Sequence, residues 1–258
     1  MFKNQSIAVT GASGGIGRAI AEMFIAEGAK VAISDLQTPS KTAAEIGAVA
    51  FACDVSSDDA VQSFADMAEA ANGPIDIFVS NAGVGFGDPK HAAGASNKNW
   101  ELSWKVNVMS SVYAARALLP QMQQRGSGRF VITASAAGLL AQVGSSSYTA
   151  TKHAAVGFAE SLAIRHWDEG IKTHCICPQY VRTNMTKGMD MAEGHQDGLI
   201  EPSDVAAALK LAIKEDRFMV LSHPVVGEYF KNKAMDYERY IHGMNKLKQK
   251  LGNDQLPS

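Results

Sequence analysis

Cysteine is scarce: Cys53, Cys175 and Cys177 are the whole complement of a 258-residue chain. Three thiols cannot build a disulfide scaffold, and Cys175 and Cys177, two positions apart in a strand-like run, share one strand face. They read as buried thiols in a reducing compartment. No second ligand pair follows them and none of the seven histidines has a ligand partner, so no metal is assigned. Net charge is nearly absent too. Twenty-four basic residues stand against 26 acidic ones, a formal balance of −2, which gives no general attraction to nucleic acid or anionic lipid. The longest uncharged stretch, 130–151, is broken by serines and small residues and cannot span a bilayer. The N-terminal apolar run is too short for a signal peptide, which makes the cytoplasm the default address. No repeat, low-complexity tract or flexible linker marks a domain boundary.

What the chain does contain is alternation. Short β-branched runs at Ser6–Thr10, Lys30–Asp35, Val49–Asp54, Ile75–Ser80, Arg129–Ser135, Ile171–Cys177 and Phe218–Leu221 are separated by Ala-rich stretches of helical spacing near 15–28, 39–46, 57–72, 97–124, 147–169 and 203–214. Strands that alternate with helices predict an α/β fold: one Rossmann-type, doubly wound parallel sheet of about seven strands, helices on both faces, in a single domain over 1–258. Two regions depart from the pattern. The segment 183–200 has three methionines and no period, and is expected to be a long mobile loop. From residue 225 to about 250, Val226, Tyr229, Phe230, Met235, Tyr237, Tyr240, Ile241, Met244 and Leu247 recur at three- and four-residue intervals, which predicts an extra C-terminal helix with an apolar face.

The first strand runs into Thr10-Gly11-Ala12-Ser13-Gly14-Gly15-Ile16-Gly17-Arg18 and then into helical spacing. Glycines there allow positive φ and close approach of a pyrophosphate, while the free N–H groups at the helix start point at the anion. Asp35, at the end of the second strand, lies 18 residues after Gly17. A carboxylate there accepts hydrogen bonds from ribose hydroxyls and repels a 2′-phosphate, so NAD is the expected cofactor rather than NADP.

Tyr148 and Lys152 stand four residues apart, on one helix face. Spacing alone does not single them out, because Tyr229 and Lys233 repeat it. Setting does: thirteen residues before Tyr148 is Ser135, at the C-terminal end of the fifth strand, where open α/β sheets bind ligands, whereas thirteen residues before Tyr229 is Asp216. A phenol with an ordinary pKa of about 10 must be lowered by roughly 3 units to act as acid and base near neutrality. An adjacent ammonium and an oxidised nicotinamide would both act in that direction. Ser135 would donate to a substrate oxygen as charge gathers on it.

Over about residues 5 to 222 the chain resembles the short-chain dehydrogenase/reductase family. Gly11, Gly15 and Gly17, the Asp54-Val55 pair, Asn81-Ala82-Gly83, Asn107, Ser135, and Tyr148 with Lys152 match that family's pattern in order and spacing. The resemblance implies that Asp54 and Val55 contact the adenine and that Asn81, Ala82 and Gly83 line the cofactor site. It implies too that Asn107 holds a water relaying protons from Lys152, whose ammonium also binds the nicotinamide ribose. Pro178, Val181 and Thr183 would meet the carboxamide end. One departure stands out: Gln179 replaces the family's usual glycine after the proline, so either the backbone differs locally or a polar side chain enters the substrate space, and Gln179 is expected to touch substrate. Met185, Met189 and Met191 suit either an apolar substrate or plain filling of the core, and the first is taken as the expectation. The resulting expectation is an NAD-dependent enzyme interconverting a secondary alcohol and a ketone. Its predicted catalytic set is Ser135, Tyr148, Lys152 and Asn107, with Ser135, Tyr148, Gln179, Met185 and Met189 toward a small-molecule substrate. A homodimer or homotetramer, formed through the long helices near 97–124 and 147–169, is expected. Rival readings are a nucleotide-sugar epimerase or dehydratase and a non-catalytic dinucleotide sensor or scaffold.

Overall fold

The computed structural model describes residues 1–88, 90–187 and 198–251. Seven strands form one parallel sheet: β1 (Ser6–Thr10), β2 (Lys30–Asp35), β3 (Val49–Ala52), β4 (Ile77–Ser80), β5 (Gly128–Thr133), β6 (Ile171–Ile176) and β7 (Met219–Val220), in the order β3-β2-β1-β4-β5-β6-β7. Between them run α1 (Gly15–Ala26), α2 (Ser40–Ile46), α3 (Asp58–Asn72), α4 (Asn97–Trp104), α5 (Ser110–Arg125), α6 (Ser146–Arg165) and α7 (Pro202–Lys214); α8 (Val225–Met235) and α9 (Tyr237–Leu251) follow the last strand.

The period-2 alternation of the strands divides the core in two. Ile7, Val9, Ile77, Val79, Val131 and Ile176 face α1 and α7, where they meet Ile20, Phe24 and Leu209. Ala8, Phe78, Phe130, Ile132 and Cys175 face the other side, against Phe64, Leu118 and Leu162 of α3, α5 and α6. Full burial of a side chain such as Phe24 or Phe64 contributes about 2–3 kcal/mol each. β1 is flanked by β2 on one side and β4 on the other, so the chain winds outward in both directions from this point. The loops after Thr10 and Ser80 therefore open a crevice at the strands' C-terminal ends, where such sheets take ligands.

Several expected boundaries move. β3 and β5 stop at Ala52 and Thr133, which places Asp54 and Ser135 in the turns beyond. The helix expected over 97–124 is interrupted by a π-helical turn, Lys105–Met109, centred on Asn107. Such a turn widens the backbone by one residue and re-aims a side chain, which periodicity does not reveal. The single C-terminal helix is two, broken at Asp236, whose carboxylate then accepts from Arg239 N–H at 2.9 Å and starts α9. Its apolar stripe is not a buried face: Val226 is enclosed, while Tyr229, Phe230, Met235, Tyr237 and Ile241 are exposed. Of the loop expected over 183–200, Asn184–Thr186 is a short helical turn and residues 188–197, with Met189 and Met191, lie outside the described residues.

Candidate active site

The glycine turn is held open by backbone contacts that exclude side chains. Gly11 and Gly15 have φ of +63° and +55°, and a Cβ on Gly17 would fall 2.4 Å from Gly11 O and 2.5 Å from Asn81 Nδ2. Asn81 braces the turn from β4, donating from Nδ2 to Thr10 O and Gly11 O at 3.1 and 3.0 Å. From β2, Asp35 accepts Ser13 N–H at 3.0 Å and Leu36 N–H at 2.8 Å. The start of α1 has no side-chain cap and no acidic residue in its first turn. Uncapped N–H groups at a helix start, reached through a glycine turn that a Cβ would block, fit the pyrophosphate of a dinucleotide.

On the other side of the switch point, Ser135, Tyr148, Lys152 and Asn107 converge. Ser135 caps a short helical turn: its Oγ accepts Ala137 N–H at 3.1 Å and donates to Pro178 O at 3.4 Å, and it stands close enough to the Tyr148 hydroxyl to lower that phenol. Lys152 is 3 % exposed, and its Nζ donates to Thr133 O at 2.9 Å while lying 5.5 Å from the Tyr148 ring centre. Its partner is a neutral carbonyl, and burial pulls the lysine pKa down to about 8. Burial also raises the Tyr148 phenol, against the smaller lowering effect of Ser135. In the chain without its cofactor, burial outweighs Ser135 and the phenol stands above its ordinary value rather than below it.

Asn107 is spent on structure more fully than expected. Its Oδ1 accepts Val84 N–H and its Nδ2 donates to Val84 O, both at 2.9 Å, with a further bond to Thr151 Oγ1 at 3.0 Å. Both amide donors are used, and Oδ1 keeps one lone pair. Gly83 brings the loop after β4 into the site, since a Cβ there would lie 3.3 Å from Lys152 Nζ and 3.4 Å from Asn107 Oδ1.

The remaining predicted residues are spread around this centre. Ala82 packs against Gly11, Val55 is buried in the core, and the Asp54 carboxylate closes a turn by accepting from Ser56 N–H and Oγ at 2.9 and 2.7 Å. Thr183 crosses toward the glycine turn, its Cγ2 lying 3.2 Å from where a Gly15 Cβ would stand. Pro178 O accepts Ala136 N–H at 2.8 Å, Val181 is buried, Gln179 is half-buried and Met185 is exposed. Gly14 borders open space, Ser13 is exposed and Ile16 packs on the core beside α1.

Several participants carried no sequence signal of their own. Asp88, 6 % exposed, accepts Ser146 N–H at 2.6 Å and so caps the helix bearing Tyr148, while Ser145 Oγ donates to Phe86 O at 2.5 Å. Gly85 lies flat against the Tyr148 ring, with its absent Cβ 3.3 Å from Cδ2. Thr10 Oγ1 accepts the N–H of Asn81 at 3.0 Å. The run Gly83 to Gly87 reads as a bare turn until the fold sets it on Tyr148 and Lys152.

The sequence profile described as short chain dehydrogenase matches residues 5–194. The 3beta-hydroxysteroid dehydrogenase 2 of Eggerthella lenta is 35% identical over 73% of this chain and 75% of its own length. The meso-2,3-butanediol dehydrogenase of Serratia marcescens is 31% identical over 83% of this chain and 89% of its own. Among solved structures, a short chain dehydrogenase/reductase from Burkholderia phymatum in complex with NAD superposes with a TM-score of 0.79 at 28% identity, covering 92% of this chain and 95% of that one. With the glycine turn, the strand order and the Tyr148 helix in place, this chain belongs to the short-chain dehydrogenase/reductase family.

Proposed function

We propose that this oxidoreductase interconverts a secondary alcohol and a ketone with NAD. The observation that carries the reading is the convergence of Ser135, Tyr148 and Lys152 beside an uncapped, glycine-lined helix start. The relatives named for a 3β-hydroxysteroid and for meso-2,3-butanediol both take secondary alcohols, one bulky and apolar. Residues 11–17 hold the pyrophosphate, Asp35 takes the ribose hydroxyls and rejects a 2′-phosphate, and Asn81, Ala82 and Gly83 form the floor. Asp54 and Val55 face the adenine end; Pro178, Val181 and Thr183 face the carboxamide end. When bound, the nicotinamide would supply the hydride acceptor or donor and, in its oxidised form, a second positive charge beside Tyr148 in addition to the Lys152 ammonium. Tyr148 then takes the alcohol proton, or returns it to the ketone oxygen. Ser135 donates to that oxygen as it gains charge. Lys152 contacts the ribose and exchanges protons with the phenol, with the free lone pair of Asn107 Oδ1 to orient a relay water. Gln179 and Met185 are the substrate contacts of this reading.

An apolar groove between α5 and α6, lined by Val112, Leu119, Pro120, Phe158 and Leu162, supports assembly through these helices as a dimer or tetramer. The deciding experiment follows NADH absorbance across secondary alcohols, sterols, sugars and hydroxy acids with the wild-type chain and Tyr148→Phe. Turnover of a secondary alcohol that Tyr148→Phe abolishes, with NADH bound equally by both and more tightly than NADPH, supports the reading. Retained turnover in the variant refutes the role of Tyr148. No turnover across the panel returns the chain to a dinucleotide sensor.

A further inference from the structure

The end of α8 turns one charged side chain inward. Lys233 is 8 % exposed, its Nζ donates to Leu139 O at 2.8 Å, and it lies 3.4 Å from His153 Nε2. The rings of Tyr237 and Tyr240, from α9, stand 5.5 and 5.3 Å from the ammonium, measured to their centres. His153 Nδ1 is 2.9 Å from Thr149 O and so carries the ring proton, which leaves Nε2 as an acceptor toward Lys233. Thr149 completes a loop of contacts, because its Oγ1 accepts Gln142 N–H at 2.9 Å. The Tyr240 hydroxyl is buried near the backbone of Ala141 without a hydrogen bond, so its ring rather than its hydroxyl makes the contact with Lys233.

All these contacts fall in two places. One is 139–142, within the stretch of chain that joins Ser135 to Tyr148. The other is Thr149 and His153, the immediate neighbours of Tyr148 and Lys152 on α6. We propose that Lys233 is a positioning residue which latches the α8–α9 pair onto segment 139–142 and α6, and so fixes the wall of the substrate pocket between Ser135 and Tyr148. The inference rests on the oxidoreductase reading for its effect on substrate, but not for the latch itself. The physics favours a latch over a soft contact. A buried ammonium without a carboxylate is tolerated only while carbonyl, imidazole and both rings surround it, so partial undocking costs nearly as much as complete release. Lysine suits the place better than arginine, since its compact head directs separate donors at the carbonyl and the imidazole beneath the rings.

The test compares wild-type chain, Lys233→Met, Lys233→Arg and Tyr240→Leu by hydrogen–deuterium exchange, thermal midpoint, NADH binding and steady-state kinetics on the fastest secondary alcohol of the panel above. In Lys233→Met, amides of 139–142 and α9 should exchange on the order of tenfold faster while the sheet is unchanged. KM should rise by about tenfold with kcat nearly constant and NADH affinity intact. Lys233→Arg should restore part of both effects, and Tyr240→Leu, which removes the ring over the ammonium, should loosen the same amides to a smaller extent. Unchanged exchange at 139–142, or acceleration spread equally over the sheet, overturns the latch; so does a loss of kcat at constant KM. Should Lys233→Met fail to fold, the other two variants decide by the same criteria. If no alcohol is turned over, the oxidoreductase reading falls and exchange alone decides the latch.

Discussion

Replacing Lys152 by methionine should make the cofactor-free protein more stable near neutral pH and less stable in alkali. Burial lowers the lysine from its ordinary 10.5 to about 8, a gap worth about 3 kcal/mol of penalty on the charged form. Below pH 8 both the folded and the unfolded chain carry the proton, so the folded state bears the whole penalty. Between about pH 8 and 10.5 the folded state releases the proton first, the unfolded state binds more protons, and wild-type stability rises. Lys152→Met removes the penalty but leaves Thr133 O without its donor, which costs about 1 kcal/mol. The net gain near pH 6.5 is about 2 kcal/mol, or roughly 4–8 °C in Tm for a chain of this size. Near pH 10.5 the gain disappears and only the lost hydrogen bond remains. Thermal and urea unfolding of both proteins at pH 6.5 and 10, without NADH, measures this directly, since bound ligand would add its own linkage. An equal stability difference at the two pH values would refute the reasoning, as would a variant less stable than wild type at pH 6.5.

Gly17→Ala should lower NADH affinity by on the order of tenfold or more, because its Cβ meets backbone and the Asn81 amide rather than a flexible side chain; titration by fluorescence checks it, and unchanged affinity would show that the turn is not the binding element. His174, buried beside Arg129 and bonded through Nδ1 to Arg217 O at 2.6 Å, is lowered to about 4, first by burial and then by the guanidinium. The unfolded state therefore takes up a proton first as pH falls from 6.5 to 4, and about 3 kcal/mol of stability should be lost across that window. His174→Gln should flatten this part of the urea-midpoint profile; an unchanged slope contradicts it. Phe158→Glu places a charge in the α5–α6 groove and should shift the light-scattering mass to that of one chain; a wild type that is already monomeric defeats the assembly.

The sheet was legible because parallel strands buried on both faces leave long β-branched runs, and every one of the seven was found within two residues or so of its ends. The glycine turn was legible for a local reason: strand, glycines and helix are contiguous, and Asp35 follows at fixed distance. Asn107 was found, but the π turn that aims it was not, because the widening depends on Val84 and Thr151, 23 and 44 residues away. Asp88 and Gly85 were missed for the same reason. Their significance comes from where α6 lands on the loop after β4, which no short pattern encodes. Tyr229 and Lys233 looked like an empty repeat of the catalytic spacing, yet Lys233 is one of the few buried cations of the chain; its partners Leu139 and His153 lie 94 and 80 residues away. The apolar stripe of 225–250 is helical as its spacing predicts, in two helices rather than one, and is mostly exposed; periodicity reports amphipathic order and says nothing about what covers it.

The two buried lysines follow one design with opposite consequences. Lys152 and Lys233 each donate to a main-chain carbonyl, and burial lowers both. A carboxylate in either place would pin the proton on the ammonium. For Lys233 that would merely strengthen a contact. For Lys152 it would remove the property the proposed chemistry needs, because an amine near 8 can gain and lose a proton at neutral pH whereas one held near its ordinary value cannot. A carbonyl of the main chain is a partner that no side-chain substitution deletes, so the setting of Lys152 is protected by β5 itself. The exposed point of the arrangement is Gly83. Any side chain there begins 3.3 Å from Nζ, and an acidic one would supply the counter-charge that the site excludes, raising Lys152 and disfavouring the phenolate of Tyr148 together. Glycine at that position is therefore as much an electrostatic requirement as a steric one.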